Sequence, residues 1–142
     1  MTYASQQDLI DRFGEQEIVQ ITDRTNSPPS TIDATKVARA LSDADTIINS
    51  YIASRYDTPV SPVPDVLVEK ACAIARYKLY SDGAPDRVNT DYGDALKWLV
   101  QVSSGVVVLS GASSPPAAQS ISGTVKVSAP ARTFTRDSMR DL

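Results

Sequence analysis

The sequence predicts an all-α fold: a small helical bundle around one long helix, followed by an extended C-terminal arm with room for a short strand or hairpin. Three observations predict it. Apolar residues between Thr31 and Tyr56 recur at steps of 3 and 4, the period of one helix face. Two later segments repeat that period, and stretches bearing Pro and Gly separate them. Alternation with period two is confined to Ile121–Val127, after a run of Ser, Gly, Ala and Pro. At 142 residues the chain has the length of about one domain. The expected division is a helical body over 1–109 and a linker, arm and tail over 110–142.

Taken in order, Ser5 with Asp8 three residues on reads as a helix N-cap carrying an acid in the first turn. Leu9, Ile10 and Phe13 follow at helical spacing, and Gly14 suits the C-cap. Glu15–Ile21 reads as a second short helical stretch. Asn26–Ser30 contains Pro28 and Pro29 and must be a loop. Thr31–Tyr56 then forms the long helix, about six or seven turns, with Val37, Leu41, Ala44, Ile48, Tyr51/Ile52 and Arg55 on its inner stripe. Pro59, Pro62 and Pro64 make Asp57–Pro64 an ordered, non-helical connector.

Pro64 suits the first position of the next helix. In Val66–Tyr80, Leu67, Ala71 and Ile74 form one stripe, and Val68, Cys72, Ala75 and Leu79 form another. Two stripes imply packing on more than one side. A last helix is expected over Val88–Ser103, with Tyr92, Ala95, Leu96, Leu99 and Val100 inward and Gly105 as its C-cap.

Composition narrows the chemistry. There is no histidine, and Cys72 is the only cysteine. Histidine-based nucleophile pairs, Cys/His zinc sites and an intramolecular disulfide are therefore excluded. Glycine-rich phosphate loops are absent, and no carboxylate pair converges in an obvious pocket. No cofactor, metal or enzymatic activity is expected. Cys72 reads as a small buried hydrophobe. The N-terminus lacks the basic and apolar regions of a signal peptide, and no apolar run approaches a membrane span. The net charge of −3 is uneven: acids exceed bases by four over 1–60 and by one over 61–109, whereas the tail is net +2.

A set of ordered fragments carries more information. Tyr3-Ala-x-x-x-Asp-Leu-x-x-Arg-Phe-Gly14 is followed by Glu17-Ile and Thr22-Asp-Arg24. Next come Asp45-x-x-Ile-x-Ser-Tyr-Ile-x-x-Arg-Tyr56 and its proline connector. Ala71-x-x-Ile-Ala-Arg-Tyr-x-Leu-Tyr80 and Tyr92-x-x-Ala-Leu-x-Trp-Leu99 complete the body, and Arg132-x-Phe-x-Arg-Asp-Ser-x-Arg140 ends the chain. In this order and spacing the chain resembles the Mu-like phage and prophage head–tail connector (adaptor) family. The departures lie in 110–130.

The resemblance implies a virion protein of the neck, present in host cytoplasm during assembly. It implies a homo-oligomeric ring, commonly of twelve copies, beneath the portal protein. The ring would join the portal to a tail-side neck protein, a stopper or tail terminator, and double-stranded DNA would pass through its channel without sequence-specific binding. No membrane contact is implied.

Under this reading Arg132, Phe134, Arg136, Asp137, Met139 and Arg140 form a portal-docking tail, since aromatic residues, Met and Arg are enriched at interfaces. Asp65, Glu69, Asp82, Asp86, Asp91 and Asp94 are candidates for a channel lining that repels phosphates. Tyr51, Arg55, Tyr56, Arg76 and Tyr77 are structural or subunit-contact candidates. Arg55 is expected to cap its own helix, and intramolecular pairing of the arginines with Asp45, Asp57 or Glu69 is favoured over a subunit contact. The alternatives are a small helical DNA-binding or regulatory module, a hydrolase using an acidic pair, and another neck protein such as a stopper.

Overall fold

A computed structural model describes residues 2–112, and all five elements among them are helices: α1 Gln6–Phe13, α2 Glu15–Thr22, α3 Ala34–Ile52, α4 Asp65–Leu79 and α5 Asp86–Ser104. The expected strand in the arm and the tail over 132–140 lie outside the described residues. Helices α3, α4 and α5 pack on one another, while α1 lies against α2, α4 and α3. The core forms where their apolar stripes meet, with Val37, Leu41, Ile48 and Ile52 of α3, Leu67, Cys72 and Ile74 of α4, and Leu99 and Val102 of α5.

The helix ends follow local chemistry. Ser5 and Asp8 form a reciprocal capping box at α1: Asp8 N–H donates to Ser5 Oγ at 3.2 Å, and Ser5 N–H donates to Asp8 Oδ2 at 2.7 Å. Gly14, at φ +88°, turns the chain from α1 directly into α2, a conformation that side chains rarely adopt.

Helix α3 is shorter than its periodicity predicts. It begins at Ala34 because Asp33 accepts N–H donors from Thr35 and Lys36, both at 3.1 Å, and so acts as N-cap. It ends at Ile52, whose carbonyl accepts from both Arg55 and Tyr56 N–H at 2.9 Å. This tightened turn leads into the connector and leaves Arg55 and Tyr56 beyond the helix. At 19 residues α3 has about five turns.

Pro64 sits one residue before α4 rather than in its first turn. Helix α5 starts at Asp86, two residues ahead of expectation. Val100 faces outward and Val102 is buried in its place, because the inner stripe runs Val88, Ala95, Leu99 and Val102. At the end of α5, Gly105 adopts φ +81°. Its N–H donates to Val102 O at 3.1 Å, and Val106 N–H donates to Gln101 O at 2.9 Å, forming a Schellman motif.

Candidate functional site

The residue fragments that single the chain out converge on a set of polar clamps at the joints of the bundle. The largest centres on Arg76, in the last turn of α4. Its Nε donates to Glu17 Oε1 of α2 at 2.6 Å, and its terminal nitrogen lies 3.6 Å from Asp91 Oδ2 of α5. The guanidinium carbon stacks 4.3 Å from the Phe13 ring centre. Tyr80 Oη donates to the same Glu17 oxygen at 3.0 Å, and burial together with Glu17 pushes this phenol up from its ordinary pKa. A planar, multiply donating cation can bind both acids and stack at once. Beside it, the Tyr77 and Tyr92 rings stack at 4.0 Å and join α4 to α5. The expected partners Asp45, Asp57 and Glu69 are therefore replaced by Glu17 and Asp91. Glu17 stands among the family-like fragments, but its pairing with Arg76 is not legible in the sequence because the two lie 59 positions apart.

A second clamp holds the N-terminus. Tyr3 is buried; its N–H donates to Asp45 Oδ1 at 2.9 Å, and its hydroxyl lies against Asn49 Oδ1. The same hydroxyl accepts Val60 N–H at 3.0 Å, tying residue 3 to α3 and the connector. Burial raises the pKa of Asp45, although the Tyr3 N–H works against the rise. A third clamp is Tyr56, buried in the core, whose hydroxyl accepts Leu109 N–H at 3.0 Å. Tyr51 is half-buried against the core. Arg55 is exposed, and its guanidinium lies against Gly105 at the C-terminus of α5. It thus approaches the negative end of α5 rather than capping its own helix.

Asp23 organises the loop between α2 and α3. Its carboxylate accepts N–H bonds from Thr25, Asn26, Ser30 and Thr31 between 2.9 and 3.1 Å, and a fifth from Asn26 Nδ2 at 2.9 Å. These bonds hold its pKa far below the ordinary carboxylate range. The signal for it was present as an Asp followed by Thr, Asn, Ser and two prolines.

The six candidate lining acids spread along the α4–α5 hairpin. Glu69, Asp91 and Asp94 meet at an open groove of about 350 Å³, together with Arg12, Phe13, Lys70 and Ala73. Within it Glu69 pairs with Lys70 at 2.8 Å, and beside it Asp94 pairs with Lys97 at 3.3 Å. Asp82 lies in the α4–α5 turn and pairs with Arg24 at 2.5 Å. Asp65 begins α4 and Asp86 begins α5, at opposite ends of the hairpin. The acids are thus dispersed along the hairpin among interspersed bases, and only Glu69, Asp91 and Asp94 share one groove. Among the described residues no helix is long and apolar enough to cross a membrane.

The profile of the family described as Bacteriophage Mu, Gp36 matches residues 3–128 of this chain. Among curated proteins, "Mu-like prophage FluMu protein gp36" of Haemophilus influenzae (strain ATCC 51907 / DSM 11121 / KW20 / Rd) is 35% identical over 127 residues, covering 89% of each chain. "Gene product J" of Escherichia phage Mu is 30% identical over 105 residues, covering 74% of each.

Proposed function

The chain belongs to the bacteriophage Mu Gp36 family, and on that premise we propose that it is a structural virion protein, a head–tail adaptor without enzymatic activity. The observation that carries this reading is where the family-like fragments fall. Tyr3, Glu17, Asp45, Tyr56, Arg76, Tyr77 and Tyr92 are the residues that clamp the helices together. They serve the integrity of one helical body, and the family match runs over that entire body. Such a body suits a part that assembles with copies of itself into a ring at the portal vertex.

In this reading the acids on the α4–α5 hairpin face the passing duplex. A mildly negative wall repels phosphates and lets DNA slide, whereas a basic wall would release counterions and hold it. Residues 132–140 dock to the portal protein, and a tail-side neck protein, the stopper or tail terminator, binds the opposite face.

The test is co-sedimentation of the purified chain with its cognate portal, with masses measured free and bound. A discrete complex holding a fixed number of chains per portal ring is expected. Absence of association with intact portal and an unproteolysed tail overturns the adaptor reading. Truncation after Ser128 tests the tail: loss of portal association is expected, and undiminished association removes the tail from the interface. Salt-sensitive retention on duplex DNA would instead favour a DNA-binding module.

A further inference from the structure

All five large hydrophobic residues exposed among the described residues are valines, and they fall at one end of the molecule. They are Val63, Val66, Val100, Val106 and Val108, the last two 76% and 68% exposed. Helices α3, α4 and α5 run antiparallel in sequence, so the C-terminus of α3, the N-terminus of α4 and the C-terminus of α5 share that end. Two contacts confirm the arrangement. The Arg55 guanidinium, just past α3, lies against Gly105, just past α5. Gly111 lies beside Pro62 of the connector, close enough that an added Cβ would rest 3.8 Å from its ring. Between these contacts the chain alternates: Val106 and Val108 point outward, while Leu109 is buried and Val107 packs on the core.

Exposed apolar side chains gathered at one end of the chain offer a docking surface. The described chain stops at Ala112, at this same end, and 30 further residues follow. After eight more residues comes Ile121–Val127, whose period-two pattern would, in an extended chain, put Ile121, Val125 and Val127 on one face with Gly123 and Ser122, Thr124 and Lys126 on the other. Eight extended residues span up to about 28 Å. Helix α4, at 15 residues, is only about 22 Å long.

We propose that Ile121–Val127 folds back onto its own body and packs Ile121, Val125 and Val127 on the valine end. β-Branched side chains on both surfaces favour an extended segment lying on this patch. A tether this short gives an effective local concentration in the millimolar range. At micromolar protein the intramolecular contact therefore prevails over exchange between copies. The fold-back leaves 132–140, with its arginines, available to a partner. It does not depend on the adaptor reading, and its test uses the free chain with no portal present.

The experiment places Val108→Cys and Val125→Cys in the full-length chain and adds a short bismaleimide. Native Cys72 is buried, and burial pushes its thiol up to about 11, so it stays unmodified in the folded protein. A product of monomer mass linking positions 108 and 125 is expected, in several-fold excess over a control pair of Val108→Cys with Ser138→Cys. Yield no higher than the control overturns the proposal, and a ladder of intermolecular products overturns its intramolecular form. In parallel, Ile121→Ser/Val125→Ser/Val127→Ser in the full chain should raise binding of an apolar-surface dye several-fold with unchanged helical circular dichroism. Unchanged dye binding counts against the contact.

Discussion

Arg76 does the work of three contacts with one side chain. It neutralises Glu17, approaches Asp91 and covers Phe13, so α2, α4, α5 and the end of α1 meet at one guanidinium. Arg76→Ala leaves the partly buried Glu17 carboxylate without its cation and should cost about 2–3 kcal/mol. Arg76→Lys should recover less than half, since an ammonium lacks the fork and the planar stack. Urea denaturation of the three proteins checks both; equal midpoints for Ala and wild type would reduce the cluster to a surface pair. Asp23 and Asp45 make the fold respond to acid with opposite signs. The Asp23 pKa lies below its ordinary 3.8 in the fold, so its stabilisation is complete above that value and is lost as pH falls below about 4. The Asp45 pKa lies above 3.8, so folding favours its protonated form and that contribution is lost as pH rises through the folded pKa. Asp23→Asn should lower the urea midpoint at pH 7 and narrow its difference from pH 3.5. Asp45→Asn, which can still accept Tyr3 N–H, should raise the pH 7 midpoint and widen that difference.

At the scale of an element, the helix termini explain where prediction succeeded. The Ser5–Asp8 box and the Gly105 turn depend on neighbours three to five residues away, and both were legible in the chain. The N-terminus of α3 falls three residues later than the periodicity suggests, because the apolar stripe starts only at Val37 and does not mark which polar residue ahead of it begins the helix. The role of Asp33 as a cap depends on Thr35 and Lys36 N–H groups that only a started helix presents. The C-terminus falls short of the periodic pattern because that pattern persists to Arg55 while the backbone tightens after Ile52. Gly105→Ala should cost about 1 kcal/mol, because φ +81° is unfavourable for a side chain. The new Cβ would also meet the Arg55 guanidinium, which is exposed and can swing aside. Thermal denaturation measures the loss, and combining Gly105→Ala with Arg55→Ala should add little further destabilisation from this contact.

At the scale of the whole molecule, all five described helices contribute to one core, Leu9 and Ile18 included, and Cys72 sits inside it, fully shielded. Reaction of this thiol requires opening of the packing around α4, where Asp8 and Arg12 of α1 lie near it, and its raised pKa keeps the thiolate scarce near neutrality. In buffer at pH 8 a thiol reagent should label Cys72 orders of magnitude more slowly than in denaturing urea, with one transition across the urea range. Fast labelling of the native chain would mean that the packing over Cys72, α1 included, opens while the remainder stays folded.

Helix identity, turn positions, the inner stripes of α3 and α4, and family resemblance were all legible from residue order. Each rests on spacing within a few residues or on fragments kept in sequence. The partners of Arg76, the burial of Tyr3, the hydroxyl partner of Tyr56, the dispersal of the acids along the α4–α5 hairpin and the gathering of five valines at one end were not. These depend on which distant segments the bundle brings together. A charge or hydroxyl carries no mark of a partner 40 or 60 positions away, and a valine on a helix face reads the same whether a neighbour covers it or water does. Only the crossing of α3, α4 and α5 decides between those outcomes, because close packing admits few arrangements of their stripes.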